Sequence, residues 1–222
     1  MPTVTAICPS SGTPRFTSFE LSMYSLDLPP GSQFVRPESA KIAYNINRAI
    51  RDSKITDYYW LIGDDHTFED DIVLRLMRVD VPVVVALTVM RYPPFLPVVY
   101  GNDIRKEDDG SVKYNQMTWD ILDGCPRLFS FPGMLVGTAG MLLRREIFDK
   151  IPYPWFRESI AEDLDFCQRI YDYGFNIQID TETTMGHTAP CTVRPIKNQE
   201  TGRWDIELKW PNGHTSRLGR AS

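Results

Sequence analysis

Short apolar runs alternate with segments of helical periodicity along the first ninety residues. Residues 4–8, 58–62 and 81–89 are rich in aliphatic and aromatic side chains and predict three strands. The run at 81–89 is almost continuously apolar, which is typical of a strand buried on both faces. We therefore predict a sheet whose inner strands are covered by helices on both sides.

Two helices are predicted between these strands. Five apolar residues recur at helical spacing before residue 52, and Pro37 is a tolerated first-turn residue that would open this helix; they are Ile42, Ala43, Ile46, Ala49 and Ile50. The second helix presents Ile72, Leu76 and Met77 on one face. Thr67 and Asp70 have capping-box spacing, so we expect Thr67 to cap this helix.

The pattern is lost between residues 91 and 134, where a turn is expected at 106–110. It returns as a strand at 141–143, a short helix at 145–150 and a helix at 163–173 that Gly174 would end. Alternating apolar residues at 175–179 predict another strand. The tail, residues 188–222, is rich in proline and charge, and alternation of Trp204, Ile206, Leu208 and Trp210 predicts one strand in it.

Strand–helix alternation of this kind predicts an α/β fold with a nucleotide site at the carboxyl ends of the strands. We expect residues 1–187 to form one domain, with the nucleotide site in residues 1–90. Residues 188–222 would be a C-terminal arm, flap or lid.

Composition narrows the function classes. The 222 residues are 42% hydrophobic and 12% aromatic, enough for a substantial core. The formal net charge of −5 gives no overall footprint for binding nucleic acid or an anionic membrane. No segment has the roughly 18 apolar residues of a membrane span. The four scattered cysteines form no CxxC pair, so we expect reduced thiols in a cytoplasmic protein.

The triplet Asp64-Asp65-His66 directly follows a buried strand. If the chain stays extended there, residues 64 and 66 point the same way, and Asp64 and His66 could share a ligand. Oxygen and imidazole ligands suit Mn²⁺ or Mg²⁺ bridging a diphosphate. The alternative is a polar turn whose acids support the next helix.

Two later segments also carry chemistry-bearing residues. Glu162 and Asp163 open a helix, where the dipole and free N–H groups favour an ionised carboxylate that could act as a general base. The alternative is that Glu162 completes a capping box with Ser159. His187 follows Gly186 after a strand and is a third candidate site residue. The alternative is that it is an ordinary loop histidine.

Taken in order, four segments of the chain resemble a glycosyltransferase of the GT-A fold, of the family-2 type. Residues 57–66 resemble the strand that ends in the family's DxD motif, and residues 136–145 resemble the glycine-containing strand before the acceptor site. Residues 161–167 resemble the ED motif, and residues 186–188 resemble the late histidine of the metal site. His66 stands where DxD has its second acid; DxH also occurs in polypeptide N-acetylgalactosaminyltransferases.

The resemblance implies a Rossmann-like, mixed but mostly parallel sheet flanked by helices. It also implies that the domain of residues 1–187 is catalytic, that residues 1–90 are its nucleotide-binding half and that residues 91–187 are its acceptor-binding half.

The resemblance further implies a role for each matched residue. Asp64, His66 and His187 would hold the metal, with Mn²⁺ favoured over Mg²⁺ because two ligands are imidazoles. Asp65 would contact the ribose. The implied donor-binding loop is Pro9, Ser10 and Ser11.

It also implies transfer of a sugar from a nucleoside-diphosphate sugar, with UDP-sugars expected, to a hydroxyl acceptor with inversion. Asp163 would be the base, and Glu162 would be structural or contact the acceptor. Trp155, shortly before the ED motif, could stack on a sugar ring, with core packing as the alternative, and Gly140 belongs to the acceptor side. The acceptor would be a glycan, a protein or a modified nucleic acid.

Two other function classes fit part of the pattern. A nucleotidyltransferase on a similar sheet would need a glycine-rich basic loop after the first strand, and residues 9–15 carry one arginine and match poorly. A non-catalytic nucleotide- or carbohydrate-binding module would keep the fold without turnover. Release of nucleoside diphosphate from a nucleotide-sugar separates an enzyme from such a module.

Overall fold

The computed structural model describes residues 1–10, 16–39, 41–91, 94–106, 112–158, 161–189, 191–209 and 215–218. The helices in these ranges are α1 (Thr17–Ser25), α2 (Ile42–Asp52), α3 (Ile72–Arg78), α4 (Trp119–Asp123), α5 (Glu146–Lys150) and α6 (Glu162–Asp172). The strands are β1 (Val4–Ile7), β2 (Gln33–Val35), β3 (Tyr58–Leu61), β4 (His66–Thr67), β5 (Val83–Leu87), β6 (Val99–Lys106), β7 (Val112–Gln116), β8 (Leu128–Phe129), β9 (Leu135–Val136), β10 (Met141–Arg144), β11 (Gln178–Thr184), β12 (Gly186–Ala189), β13 (Cys191–Lys197), β14 (Trp204–Lys209) and β15 (Thr215–Leu218).

The largest sheet has the strand order β2-β1-β3-β10-β5-β11-β8. Strands β1, β2 and β3 pair in parallel, as do β5 and β11. Strand β10 runs antiparallel between β3 and β5, and β8 is antiparallel to β11. The sheet is therefore mixed but mostly parallel, as predicted.

Side chains alternate between two cores on opposite faces of this sheet. On β3, Tyr59 and Leu61 join the core that includes the apolar face of α2, whereas Trp60 joins the core of α1 and α3. On β5, Val83 and Val84 divide in the same way. Every residue of β5 is buried, which confirms the prediction of a strand covered on both faces.

Several predicted element bounds were wrong. Helix α2 begins at Ile42 rather than at Pro37, and Ile42 itself is exposed. Thr67 does not cap α3, because it lies in β4 and pairs with Gly186. Helix α1 was missed. The segment 91–134 contains β6, β7, α4 and β8; of the turn expected at 106–110, residues 107–110 lie outside the described residues.

The tail contributes most of a second sheet, with the order β15-β14-β13-β12-β4. Sequence analysis predicted only β14, and its last predicted residue, Trp210, lies outside the described residues. Five tail side chains are buried in the same core as α2 and β3; they are Cys191, Val193, Trp204, Ile206 and Leu208. A third sheet has the order β7-β6-β9.

Two smaller predictions can also be compared with the structure. All four cysteines are free, as expected. Among the described residues, no helix has both the length and the apolar character needed to cross a bilayer.

Candidate active site

A cleft of about 450 Å³ opens at the carboxyl ends of β1, β3 and β5. Its walls come from the loops after these three strands, the start of α2, residues 137–139 and the first turn of α6. Parallel strands end at one edge of a sheet, so loops distant in sequence meet there. The volume lies within the range of small-molecule sites.

A tight turn shapes the chain after β3. The backbone N–H of His66 donates to the carbonyl of Gly63 at 3.3 Å, and residues 64 and 65 form the turn. A Cβ on Gly63 would lie 2.8 Å from Oδ1 of Asp65 and 2.8 Å from Nδ1 of His66. Glycine is therefore what allows both side chains to fold back over the turn.

Pairing of β4 with β12 places His187 beside His66. His66 and His187 are direct partners across these antiparallel strands, and their rings stack with centroids 4.4 Å apart. The backbone N–H of Thr188 donates to the carbonyl of Asp65 at 2.7 Å. Gly186 permits the close approach, because a Cβ there would lie 2.4 Å from Oγ1 of Thr67.

Asp65, His66 and His187 form a group that we call the triad. One potential ligand atom from each lies within 4.8 Å of the others. Oδ1 of Asp65 is 2.9 Å from Nδ1 of His66, and Oδ2 is 3.3 Å from Nε2 of His187. The first contact lies off the hydrogen-bond direction, so this buried ring nitrogen has no hydrogen-bond partner among the described residues.

Burial and charge set the ionisation of the triad. Burial lowers the pKa of His66, which favours the neutral imidazole that binds metals. Burial alone would raise the pKa of Asp65. The contacts from His187 and His66 outweigh it and hold the pKa of Asp65 well below its ordinary value.

The tautomer of His187 follows from its backbone contact. Nδ1 is 2.9 Å from the carbonyl oxygen of Val89, which can only accept, so Nδ1 carries the proton. When the ring is protonated, Nε2 donates to Oδ2 of Asp65 at 3.3 Å, which is one of the contacts that lower the pKa of Asp65. When the ring is neutral, the Nε2 lone pair faces that acceptor, and a metal ion between the two atoms would take the place of the proton. Metal-binding histidines are commonly oriented through such a carbonyl contact, so these residues fit a metal ion.

Asp163 lines the cleft at the start of α6. Its Oδ1 accepts the backbone N–H of Leu164 at 2.9 Å. Burial raises the pKa of Asp163 to about 6, the nearby charge of Glu162 adds to the rise, and the Leu164 bond opposes it. Sequence reasoning assumed that the helix N-terminus keeps the pKa of Asp163 low, and the structure does not support this assumption. The carboxyl is nevertheless mostly ionised at neutral pH.

The predicted donor residues lie on one side of the cleft. Pro9, Ser10, Asp64 and Asp65 line it, and Oγ of Ser10 donates to Oδ2 of Asp64 at 3.2 Å. Ser11 lies outside the described residues. Asp64 lines the cleft beside the triad but does not belong to it, since Asp65 takes the place expected for Asp64.

Glu162 also lines the cleft, whereas Trp155 and Gly140 are not among the described residues that do so. The indole N–H of Trp155 donates to the carbonyl of Phe148 at 3.0 Å, and its ring packs on Phe148. Gly140 has φ +84°, and a Cβ there would lie 2.5 Å from Sδ of Met185. Both residues serve packing in this structure.

Sequence reasoning missed Arg91, which lines the cleft after β5. Its Nη1 lies 2.8 Å from Oδ2 of Asp65. The signal available in the sequence was its position, two residues after the almost continuously apolar run at 81–89. Ser159, the expected capping partner of Glu162, lies outside the described residues.

Comparisons with known proteins agree with this architecture. No model of a protein family matches the sequence, and no curated protein matches it. Among solved structures, the chain is similar to A197 from STIV at a TM-score of 0.54 and 16% identity, covering 100% of this chain and 98% of that one.

Two glycosyltransferases are also similar. For GalNAc-T7, solved with UDP, GalNAc and Mn²⁺, the TM-score is 0.58 and the identity 9%, covering 84% of this chain. For S. aureus TarS residues 1–349, the TM-score is 0.53 and the identity 12%, covering 85% of this chain. The matches span 44% and 61% of those two chains, respectively. The protein therefore has the GT-A fold, as predicted.

Proposed function

We propose that this protein is a metal-dependent glycosyltransferase that moves a sugar from a nucleoside-diphosphate sugar to a hydroxyl acceptor. The GT-A fold supports this function, as does the position of the cleft at the carboxyl ends of the parallel strands. UDP-sugars are the proposed donors, because UDP is the nucleotide in the similar GalNAc-T7 structure.

The observation that carries the proposal is the triad. Nε2 of His187 faces Oδ2 of Asp65, and Nδ1 of His66 is buried with no hydrogen bond to any of the described residues. Two imidazoles and one carboxylate suit Mn²⁺ better than Mg²⁺, which prefers oxygen ligands. When bound, the metal supplies positive charge at the diphosphate leaving group.

The remaining cleft residues divide between donor and acceptor. Ser10 and Asp64, which are hydrogen-bonded to each other, would bind the nucleoside at the end of β1. This reverses the expected roles of the two aspartates: Asp65 joins the triad, and Asp64 lies on the donor side.

Asp163 would act as the general base. As the acceptor oxygen attacks the anomeric carbon, its proton passes to the Asp163 carboxylate, and the bond from carbon to the diphosphate oxygen breaks. A pKa of about 6 suits this role, since the group is ionised at neutral pH yet basic enough to accept a proton. Attack opposite the leaving group would invert the anomeric centre. Glu162, its neighbour on the wall of the cleft, would contact the acceptor.

A donor panel tests the proposal. Purified protein is incubated with UDP- and GDP-sugars in Mn²⁺, Mg²⁺ or chelator, and released nucleoside diphosphate is measured with and without glycan, protein and nucleic-acid acceptors. We expect Mn²⁺-dependent release from a UDP-sugar. Asp163→Asn should retain UDP and Mn²⁺ binding while transfer falls by ~10²–10⁴-fold.

Asp172→Asn, an exposed change at the other end of α6, is the matched control. Transfer by Asp163→Asn at the wild-type rate would refute the base assignment. Donor binding without any release would support the non-catalytic module instead. Release of pyrophosphate from a nucleoside triphosphate and a sugar phosphate would support a nucleotidyltransferase.

A further inference from the structure

Arg91 is a cationic side chain in a cleft dominated by acids. Among the described residues that line the cleft it is the only lysine or arginine, whereas Asp64, Asp65, Glu162 and Asp163 are all carboxylic acids. A nucleoside diphosphate is itself an anion, so it would be repelled by these acids unless cations are placed where its phosphates lie. A divalent metal offsets only part of this charge.

The position of Arg91 matches this need. Its Nη1 contacts Oδ2 of Asp65 at 2.8 Å, and the same oxygen faces Nε2 of His187 at 3.3 Å. Arg91 and the metal-binding atoms thus converge on one carboxylate oxygen. The guanidinium therefore lies beside the place where a metal-bound diphosphate would be held.

The chemistry of the guanidinium also fits. Arginine presents five N–H donors in a planar fork that pairs with phosphate oxygens through two parallel hydrogen bonds. The Arg91 side chain is about one-third exposed, at 32%, so it is accessible from the cleft.

We propose that Arg91 binds the diphosphate of the donor, next to the metal held by the triad. This proposal rests on the proposed function and adds a residue that recognises the phosphates. Two cationic side chains of the C-terminal tail, Arg194 and Lys197, lie elsewhere. Arg194 pairs with Glu69 and Glu207, Lys197 lies over the ring of Trp204, and neither is among the described residues lining the cleft.

Titration calorimetry with UDP, uridine and Mn²⁺ as probes tests the assignment in the full-length chain. Arg91→Gln should raise the Kd for UDP in saturating Mn²⁺ by about 10-fold or more, because charge-assisted hydrogen bonds are lost. Its Kd for uridine, which carries no phosphate, should stay close to that of wild type. Because Arg91 contacts Oδ2 of Asp65, the Kd of the variant for Mn²⁺ alone is measured first, so that Mn²⁺ is saturating in both proteins. Arg91→Lys should restore part of the UDP affinity.

Arg194→Gln is the matched control, since it removes an equally charged side chain outside the cleft. Unchanged UDP binding by Arg91→Gln would overturn the assignment, and so would an equal loss for UDP and uridine, which indicates a structural role. Wild-type protein that binds no UDP in Mn²⁺ would overturn the proposed function as well. The two failures are therefore distinguishable.

Discussion

Asp65 and Asp163 line the same cleft, and the pKa values of their carboxyl groups are shifted in opposite directions. Contacts from His187 and His66 hold the pKa of Asp65 well below its ordinary value despite burial. At Asp163 burial prevails, and the pKa rises to about 6. The first environment keeps the Asp65 carboxylate ionised, and the second gives Asp163 a pKa closer to neutral pH. Pairs of carboxyls driven apart in this way are typical of sites with divided chemical roles.

The triad and Asp163 also depend on different structural elements. The triad depends on pairing between β4 and β12, two strands far apart in sequence. Asp163 depends on its place at the start of α6 and on its burial. The triad should therefore be sensitive to strand register, whereas the surroundings of Asp163 should be sensitive to pH.

The largest effect should come from removing His187. In His187→Ala the triad loses a ligand, so we expect Mn²⁺ affinity to fall by more than the ~100-fold that loss of a second-shell partner costs. Mn²⁺ titration followed by calorimetry or by Mn²⁺ electron paramagnetic resonance measures this change. Mn²⁺-dependent stabilisation against heat should disappear with it.

Glu69→Gln is the control for this substitution, because it removes an acid outside the cleft near β4. Its Mn²⁺ affinity should match wild type. If His187→Ala binds Mn²⁺ as tightly as wild type, the triad is not the metal site.

The raised pKa of Asp163 predicts how the free energy of unfolding depends on pH. A carboxyl whose pKa rises on folding from 3.8 to about 6 binds its proton more tightly in the folded protein, so ionisation opposes folding. The penalty is absent below about pH 3.8, grows through the interval and is complete above about pH 6. Asp163→Asn should therefore stabilise metal-free protein at about pH 8 by ~2 kcal/mol, a figure discounted for partial exposure to solvent.

Urea unfolding of both proteins in chelator at about pH 4 and about pH 8 measures the difference. The gain should vanish at the lower pH, and Asp172→Asn should show no comparable pH-dependent gain. A gain equal at both pH values would contradict the raised pKa.

The smallest effect should come from the backbone contact behind the triad. In Gly186→Ala the new Cβ would lie 2.4 Å from Oγ1 of Thr67 and 2.6 Å from Cγ2 of Thr192. We expect destabilisation of about 1 kcal/mol, the lower end for overpacking, since both side chains can rotate away. The same shift should weaken Mn²⁺ binding.

Gly124→Ala is the comparison, because its Cβ would make only an ordinary 3.6 Å contact with the carbonyl of Ile121. Denaturant unfolding and Mn²⁺ titration measure both variants. Equal behaviour of the two would show that the contact between β4 and β12 is not tight.

The strands and helices that could be predicted are those with a strong local pattern. β3, β5, α2 and α6 were found because apolar runs or helical periodicity mark them. Helix α1 escaped because its nine residues show little separation of apolar and polar faces. The two-residue strand β4 was not predicted because it forms only by pairing with β12, and no local sequence pattern indicates that pairing.

The site shows the same limit. That residues 64–66, 163 and 187 would meet at one cleft could be predicted from residue type and order. Which aspartate joins the histidines could not, because the alternation argument assumed an extended chain. The turn at residues 64–65 breaks that alternation and brings Asp65 round to His66. Arg91 was missed because it opens the segment that lacks any periodic pattern.

Strand β12 has one further consequence. One of its edges pairs with β4 and the other with β13, so His187 sits in the middle of a ladder that continues into the last described residues. Strands that support His187 therefore extend about thirty residues beyond it in the chain. During synthesis, His187 and β4 would emerge before β13, β14 and β15, so the ladder behind the proposed metal site would be completed last.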